Sequence, residues 1–400
     1  MVSCPRVLIV SHTAQLGGGE IALLRLLEGI DATAFEVRVM VFEDGPLVAR
    51  LCQLGITTDV VSLGTLNDVT RTALTATSSL QTAAGALAFA PRLITALRRH
   101  RPDLLVANTM KAALFLGLVT PLVGRRWIWH LHDRLASDYL PKRTARALRA
   151  LARYSARHVV VNSIATRTTL GRISPSHVSV AYPGLQHSAF TGRATRSRER
   201  VIGMVGRVSA TKGQLHFVEA AGAVLDRHPD VRFRIVGHAL FQDGDYEATV
   251  SALVDSSGLA SRVELAGWSD DPTAEMDCLQ IFVHASPVPE PFGQVVIEAM
   301  ARGVPVIATA AGGILEILDP DQEAMEICDG VSWSKLGILV RPGDSPALAR
   351  AILWALDHPD ELPAMADRAL ASARERFTLD DARSTVQGAW RSALPPRRGA

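Results

Sequence analysis

Cysteine is scarce in this chain of 400 residues: four stand at positions 4, 52, 278 and 328, without Cys-x-x-Cys spacing or a neighbouring histidine cluster. Such scatter argues against both a zinc site and a disulfide framework, so these four are expected to be free thiols in a reducing cytoplasm. No apolar run reaches the roughly 18 residues needed to cross a bilayer, because Arg, Gly or Pro interrupts each one. The first ten residues have the character of a strand, not of a signal peptide. Lysine is rare too, confined to 111, 142, 212 and 335. No Gly-x-Gly-x-x-Gly follows the first apolar strand, which weighs against a nicotinamide or flavin enzyme. A net charge of +2 gives no support to a nucleic-acid partner. The last absence is local: Tyr139 to Arg198 contains no Asp or Glu. Within that stretch Lys142, Arg146, Arg149, Arg153 and Arg157 recur at three-and-four spacing and predict one basic helix face over 142–157. Such a face is either a solvated outer surface or a peripheral contact with anionic lipid at the inner face of a membrane, or with a phosphorylated acceptor.

What is present is apolar sequence, 48% of the chain, enough to fill the two cores that this length favours. Short β-rich runs alternate with Ala/Leu-rich helical segments: RVLIVS then GEIALLRLLEGI, EVRVMVF then PLVARLCQLG, DLLVAN, RWIWHLH and HVVVNS. Alternation of this kind specifies a parallel sheet covered by helices. The pattern pauses in the polar, basic PGLQHSAFTGRATRSRER and restarts at VIGMVG. The expected organisation is α/β, with two Rossmann-like doubly wound domains at 1–183 and 200–380. A linker spans 184–199, and a terminal helix over 381–400 is placed to pack back on the first domain. Ligands of such sheets bind in a cleft at the carboxyl ends of the strands.

Three glycine-containing loops enter helices: Gly17-Gly18-Gly19, the Gly206–Gly213 loop, and Phe292-Gly293-Gln294. Any one of them is explained equally well by the steric needs of a tight turn; three together point to an anion held on helix-start amides. The middle loop adds Arg207 and one of the rare lysines, Lys212, a fork and a point charge suited to a diphosphate. In PEPFGQVVIEAM, Glu290 and Glu298 are eight residues apart, about 12 Å if helical throughout. The carboxyl pairs of glycosidases stand about 5–5.5 or 6.5–9.5 Å apart, so a hydrolytic pair is not expected. Pro289 and Pro291 keep Glu290 in a loop, and Glu298 falls about one turn inside the helix. As acceptor-only carboxylates, one suits a sugar and the other a ribose hydroxyl pair.

The segment PEPFGQVVIEAMARGVPVIATAAGGILEIL resembles the E-x7-E signature of the family 4 retaining glycosyltransferases, the glycosyl transferases group 1, which have the GT-B fold with two domains facing a central cleft. The similarity extends over nearly the whole chain, through GGGEIALLRLL, VGRVSATKG, AGWSDDPTAEMDCLQIFVHAS and GILVRPGD. The resemblance implies a metal-independent enzyme of the hexosyltransferase type without a cofactor, which takes a nucleotide-diphosphate sugar as co-substrate. Its acceptor would be a sugar, a lipid-linked group or a small molecule. Gly18 and the amides of Phe292, Gly293, Gln294 and Val295 would meet the diphosphate, with Arg207 and Lys212 neutralising it. Glu290 would bind the transferred sugar, Glu298 the ribose, and Trp268 and Ser269 the base. His132 in WIWHLHD matches the family histidine beside the donor sugar, with His130 as its competitor on the same face of the strand. Asp133 would orient that imidazole or join Asn108 on the acceptor side. DPDQEAMEICDGVSWSK and YPGLQ depart from the family pattern. Two other readings remain at this point, a nucleotide-sugar epimerase of GT-B type and a non-catalytic sensor or scaffold that binds a nucleotide sugar.

Overall fold

The computed structural model describes residues 4–63, 76–191, 199–240 and 243–395. It begins with β1 (Arg6–Ser11), α1 (Gly18–Glu28), β2 (Glu36–Val41), α2 (Pro46–Gln53), β3 (Thr57–Val60) and α3 (Ala76–His100). There follow β4 (Leu104–Ala107), α4 (Met110–Val123), β5 (Trp127–Leu131), α5 (Lys142–Tyr154), β6 (Val159–Val161), α6 (Ile164–Thr168) and β7 (Val178–Val180). The second run comprises β8 (Val201–Val205), α7 (Gln214–Leu225), β9 (Arg232–Val236), α8 (Gly244–Ser256), β10 (Val263–Gly267), α9 (Pro272–Asp277), β11 (Ile281–His284) and α10 (Gln294–Ala301). It continues through β12 (Val306–Thr309), α11 (Gly313–Leu318), β13 (Met325–Cys328), β14 (Val331–Trp333), β15 (Ile338–Val340), α12 (Ser345–Asp357) and α13 (Glu361–Arg376). The last helix is α14 (Leu379–Ala393).

The chain divides into two compact units, one made of Met1–Gly184 with Leu379–Ala400 and the other of Leu185–Thr378. In the first, seven parallel strands run β3-β2-β1-β4-β5-β6-β7. In the second, β10-β9-β8-β11-β12-β15 are parallel and β14 and β13 extend the edge antiparallel. Strands such as β4, β5 and β12 are buried at every residue, as sheets covered on both faces require. Strand order reverses between β1 and β4 in one sheet and between β8 and β11 in the other, the switch points where ligands of open α/β sheets bind. Each glycine loop singled out above follows β1, β8 or β11.

Helix α14 belongs to the first unit, and its apolar stripe explains why. Val386, Ala389, Trp390 and Ala393 join the core formed by α1, β1 and β2. Trp390 is completely buried and meets Phe35 edge to face at 5.3 Å. Its indole Nε1 donates to His130 Nε2 at 3.1 Å. Arg383 adds bonds to the carbonyls of Leu26 and Arg25 at 3.4 and 3.2 Å, closing the end of α1.

Two expectations need correction, and one departure from the family pattern acquires a structure. The segment assigned to a linker is not free along its length. Leu185 N bonds to Phe377 O at 2.9 Å, His187–Phe190 form a 3-10 turn, and Arg374 donates to Phe190 O at 2.8 Å, so residues 185–191 are part of the second unit. Residues 192–198 lie outside the described residues. The basic face does not hold all five cations either. Arg149 turns inward to donate to Leu135 O at 2.9 and 2.5 Å, and α5 ends at Tyr154, leaving Arg157 in the following loop. The departure DPDQEAMEICDGVSWSK, lastly, folds as the β13–β14 hairpin on the sheet edge.

Two substitutions test the closure by α14. Trp390→Ala should cost about 3–5 kcal/mol, as for other fully buried aromatics. Trp390→Phe keeps the packing but strips His130 Nε2 of its donor and should cost about 1–3 kcal/mol. Urea unfolding of the two variants measures both, and an unchanged midpoint for Trp390→Ala would contradict the assignment of α14 to this core.

Candidate functional site

At the switch point of the second unit, two loops are clamped together by backbone contact. Gly213, at φ +81°, caps α7, and a Cβ there would run into the carbonyl of Ala285 at the end of β11. No other residue fits both the left-handed conformation and that approach. Ser286 Oγ sits between the same two loops, close to Thr211 O at 2.6 Å and Val288 O at 2.7 Å. Gln214 is buried and locks the loop from below: its Nε2 donates to Arg207 O at 3.0 Å and its Oε1 accepts from Ser209 N at 3.3 Å. Gly206 lies at van der Waals distance from Val295, 4.0 Å from its Cγ1 if a Cβ were present. The loops that enter α7 and α10 are thereby brought together.

Lys212 and Glu290 meet there. Lys212 Nζ donates to Glu290 Oε1 at 2.8 Å and Oε2 at 2.9 Å, with the two side chains 27% and 15% exposed. Behind the carboxylate stands His284, nearly fully buried at the end of β11, with Nε2 3.5 Å from Glu290 Oε2. Burial by itself would raise the Glu290 carboxyl, but Lys212 and then His284 outweigh it and hold the group well below the usual carboxylate range. The backbone of Glu290 is fixed as well. Gly313 N donates to Glu290 O at 2.9 Å, and Gly312, at φ +66°, approaches so closely that a Cβ would collide with Glu290 O.

The remaining residues expected around a donor are placed as follows. Phe292 is buried and packs edge to face on Phe377 at 5.6 Å, so its ring anchors the loop and only its backbone is available to a ligand. Gly293, at φ +113°, caps α10, whose first residues are Gln294 and Val295. Glu298 is half-buried one turn further on. Arg207 Nε lies 3.7 Å from Asp243 Oδ2. Trp268 is 47% exposed, stacks edge-on to His238 at 5.1 Å and donates to Asp270 at 3.0 Å. Ser269 accepts from Asp271 N at 3.3 Å, and Asp271 caps α9 through Ala274 N at 3.0 Å.

In the first unit the α1 loop and the end of β5 come together. A Cβ on Gly19 would touch the His132 ring at 3.3 Å, so the GGG run lets helix α1 start against that imidazole, with Gly18 as its first residue. His132 Nε2 is 3.1 Å from Asn108 Oδ1; with Asn108 accepting, the proton sits on Nε2 and Nδ1 is left as an acceptor. Asn162 Nδ2 holds the His132 carbonyl at 3.0 Å, and Thr166 holds Asn162 at 2.7 Å. Burial lowers His132 to about 4, against a smaller upward pull from Asp133, so the ring is neutral at pH 7. Asp133 accepts from Tyr139 Oη at 2.9 Å. His130 takes the other path: burial lowers it to about 3, and its Nε2 is committed to Trp390. Of the two histidines, the ring of His130 serves the core and that of His132, just beyond β5, faces the α1 loop.

Sequence reasoning missed His284, Gln214, Asn162 and the Gly312-Gly313 pair. Only the glycine pair carried a signal, since adjacent glycines before a helix mark a close backbone approach.

The chain belongs to the glycosyl transferases group 1 of glycosyltransferase family 4. The family description "Glycosyltransferase Family 4" matches residues 16–188 and "Glycosyl transferases group 1" matches 189–372. Among curated relatives, a D-inositol 3-phosphate glycosyltransferase of Acidothermus cellulolyticus is 31% identical over 74% of this chain and 62% of its own length. A 2-deoxystreptamine glucosyltransferase of Streptomyces kanamyceticus is 34% identical over 40% of this chain and 37% of its own. The chain thus spans 37% and 62% of the lengths of these two relatives. Among solved structures, Anabaena HepE in complex with UDP-glucose superimposes with a TM-score of 0.79 at 25% identity, covering 97% of this chain and 99% of that one. The fold is GT-B, with two Rossmann-like units.

The pH dependence of the Lys212–Glu290 pair follows from its sign. Because the folded state holds Glu290 below the ordinary 4.5, the stabilisation is full above that value and is lost progressively as the pH falls below it. Lys212→Met should therefore destabilise by about 2 kcal/mol at pH 7, less than for a fully buried pair. Denaturant titrations at several pH values should show the gap to wild type narrowing as the pH is lowered below 4.5. A gap that widens towards acid would contradict the assignment.

Proposed function

We propose that this chain is a retaining, metal-independent glycosyltransferase that moves a sugar from a nucleotide diphosphate to an acceptor hydroxyl. The observation that carries this reading is the Lys212–Glu290 pair set between the starts of α7 and α10. A cation and two helix starts form a cradle for a diphosphate, and a charged, fixed carboxylate beside them is an acceptor for sugar hydroxyls. Arg207, Lys212 and the amides of Gln294 and Val295 stabilise the charge that develops on the leaving diphosphate. Glu290 takes the transferred sugar and Glu298 the ribose. The loop of Trp268 and Ser269 takes the base.

In the first unit, Gly18 offers a helix-start amide and His132 is the partner of the transferred sugar; its neutral ring suits hydrogen bonding to a hydroxyl. Asp133 and Asn108 are the acceptor-side candidates. In the reaction the acceptor oxygen bonds to the anomeric carbon on the face from which the diphosphate leaves. The acceptor proton passes to the departing diphosphate oxygen, so configuration is kept. The UDP-glucose complex of HepE makes a uridine diphosphate sugar the first donor to test. The relatives are named as transferases, which favours transfer over the epimerase reading.

A thermal-shift panel of UDP-, GDP-, ADP- and dTDP-sugars should select one nucleotide, since a ligand at 100 times its dissociation constant stabilises by about 2.7 kcal/mol. With that donor and an acceptor, transfer should persist in a chelator and Glu290→Ala should lower it about a hundredfold or more. Complete epimerisation of the donor with no acceptor present would overturn the transferase reading, and unchanged turnover by Glu290→Ala would overturn the site.

A lipid-bearing acceptor is favoured by one surface of the first unit. Leu114, Leu118 and Leu122 are 43%, 50% and 64% exposed at four-residue spacing on α4, and Tyr154 on α5 is 76% exposed. The two helices pack together where Gly117 meets Leu151. Lys142, Arg143, Arg146 and Arg153 are exposed on α5, and neither helix carries an Asp or Glu. An apolar stripe beside unopposed cations suits the surface of an anionic bilayer. No helix among the described residues is long and apolar enough to cross a membrane, so this contact would be peripheral. The protein should co-sediment with phosphatidylglycerol vesicles and not with phosphatidylcholine vesicles, and Leu118→Glu should abolish binding. Equal sedimentation with both, or none with either, would remove the membrane from the account.

A further inference from the structure

Glu290 is gripped from two sides, and its two partners differ in their freedom to leave. Lys212 reaches it from a flexible four-carbon stem and is 27% exposed; rotation about that stem takes the ammonium to another anion at little cost. His284 is 3% exposed and sits within the sheet at the last residue of β11. Its Nδ1 lies 3.3 Å from Thr309 Oγ1 on β12, the strand with which β11 is in parallel register. With the Thr309 hydroxyl donating to Nδ1, the ring carries its proton on Nε2, which stands 3.5 Å from Glu290 Oε2. That separation is long for a hydrogen bond, and Nε2 has no better-aligned partner.

The arrangement presents a conflict. Lys212 spends both of its close contacts on Glu290, whereas the donor reading asks Lys212 to serve the diphosphate and Glu290 to serve the sugar. If Lys212 were the only group holding the carboxylate, its departure would leave Glu290 free to change rotamer as the sugar arrives. The backbone of Glu290 would stay in place, fixed by Gly312-Gly313 and by prolines on both sides, but the side chain would not. His284 removes that problem because it cannot follow Lys212.

We propose that His284 is a positioning residue: through Nε2, and backed by Thr309, it keeps the Glu290 carboxylate aimed at the transferred sugar when Lys212 turns to the diphosphate. The inference rests on the donor reading given above and adds a residue to it. It makes Thr309, His284 and Glu290 a relay from inside the sheet to the sugar, with Lys212 as the mobile member.

The test separates binding of the nucleotide from binding of the sugar. UDP and UDP-glucose are titrated calorimetrically into wild type, His284→Leu, His284→Gln and Thr309→Val, and unfolding midpoints are measured in parallel. In His284→Leu the affinity for UDP should stay within about twofold while that for UDP-glucose falls about tenfold, the value of one hydrogen bond to a charged group. His284→Gln, which restores a donor, should recover most of that loss. Thr309→Val perturbs only the far end and should show a loss in the same direction of about threefold. This second variant decides the matter if His284→Leu does not fold. An unchanged ratio of UDP-glucose to UDP affinity in folded His284→Leu or Thr309→Val would overturn the proposal, as would equal losses of both ligands. A wild type that gains no affinity from the glucose moiety would also count against it. A wild type that binds neither UDP nor any other nucleoside diphosphate would overturn the donor reading itself, and this inference with it.

Discussion

The ion pair between Lys212 and Glu290 is the interaction on which the second unit's site depends. Two charged groups from loops 78 residues apart in sequence meet bidentately, and neither could be partly withdrawn from water without the other. Everything around them serves that meeting. The Lys212 loop is brought to the end of β11 by the close approach at Gly213, and Ser286 lies between the two loops. The Glu290 loop is held on its far side by Gly312 and Gly313. These glycines stand where a side chain would collide with backbone, so the site is defined by main chain first and by side chains second.

That ordering has a chemical consequence. A diphosphate is best met by amides and fixed cations that need no rearrangement at the moment of reaction, and on the donor reading helix starts held by main-chain contacts would meet that demand. Lys212 carries its charge on a flexible stem. Glu290 pairs with the Lys212 ammonium and so ties the two loops together. In the first unit, His130 near the end of β5 is bonded to Trp390 of α14, and His132 just beyond the strand lies against Asn108 and the α1 loop.

Much of this was legible in the sequence. The alternation of apolar strands with amphipathic helices specified two largely parallel sheets, and the three glycine loops it singled out follow β1, β8 and β11, beside the switch points. Proline on either side of Glu290 correctly placed it in a loop, and Glu298 is one turn inside α10 as its spacing required. Other features were hidden for physical reasons. His284 lies in the run LQIFVHAS, where one buried histidine carries no pattern of its own; only the return of the chain from Pro289 to Pro291 places a carboxylate beside it. Gln214 looked like any polar residue at a helix start, although it is buried and bonds back to two residues of its own loop. Helical spacing gathered five cations onto one face, but spacing says nothing of where a helix stops or whether an arginine turns inward, and Arg149 and Arg157 fell out of the pattern for those two reasons. The hairpin of β13 and β14 was visible only as excess length.

The donor reading requires the Lys212–Glu290 pair to open when a donor binds. The most direct measurement is a crystal structure with a nucleotide diphosphate sugar bound. The account predicts Lys212 Nζ in hydrogen-bond contact with a diphosphate oxygen, and Glu290 accepting from a hydroxyl of the sugar with His284 Nε2 still beside it. A bound donor with the Lys212–Glu290 pair still bidentate, and the diphosphate held away from Lys212 and the starts of α7 and α10, would contradict it.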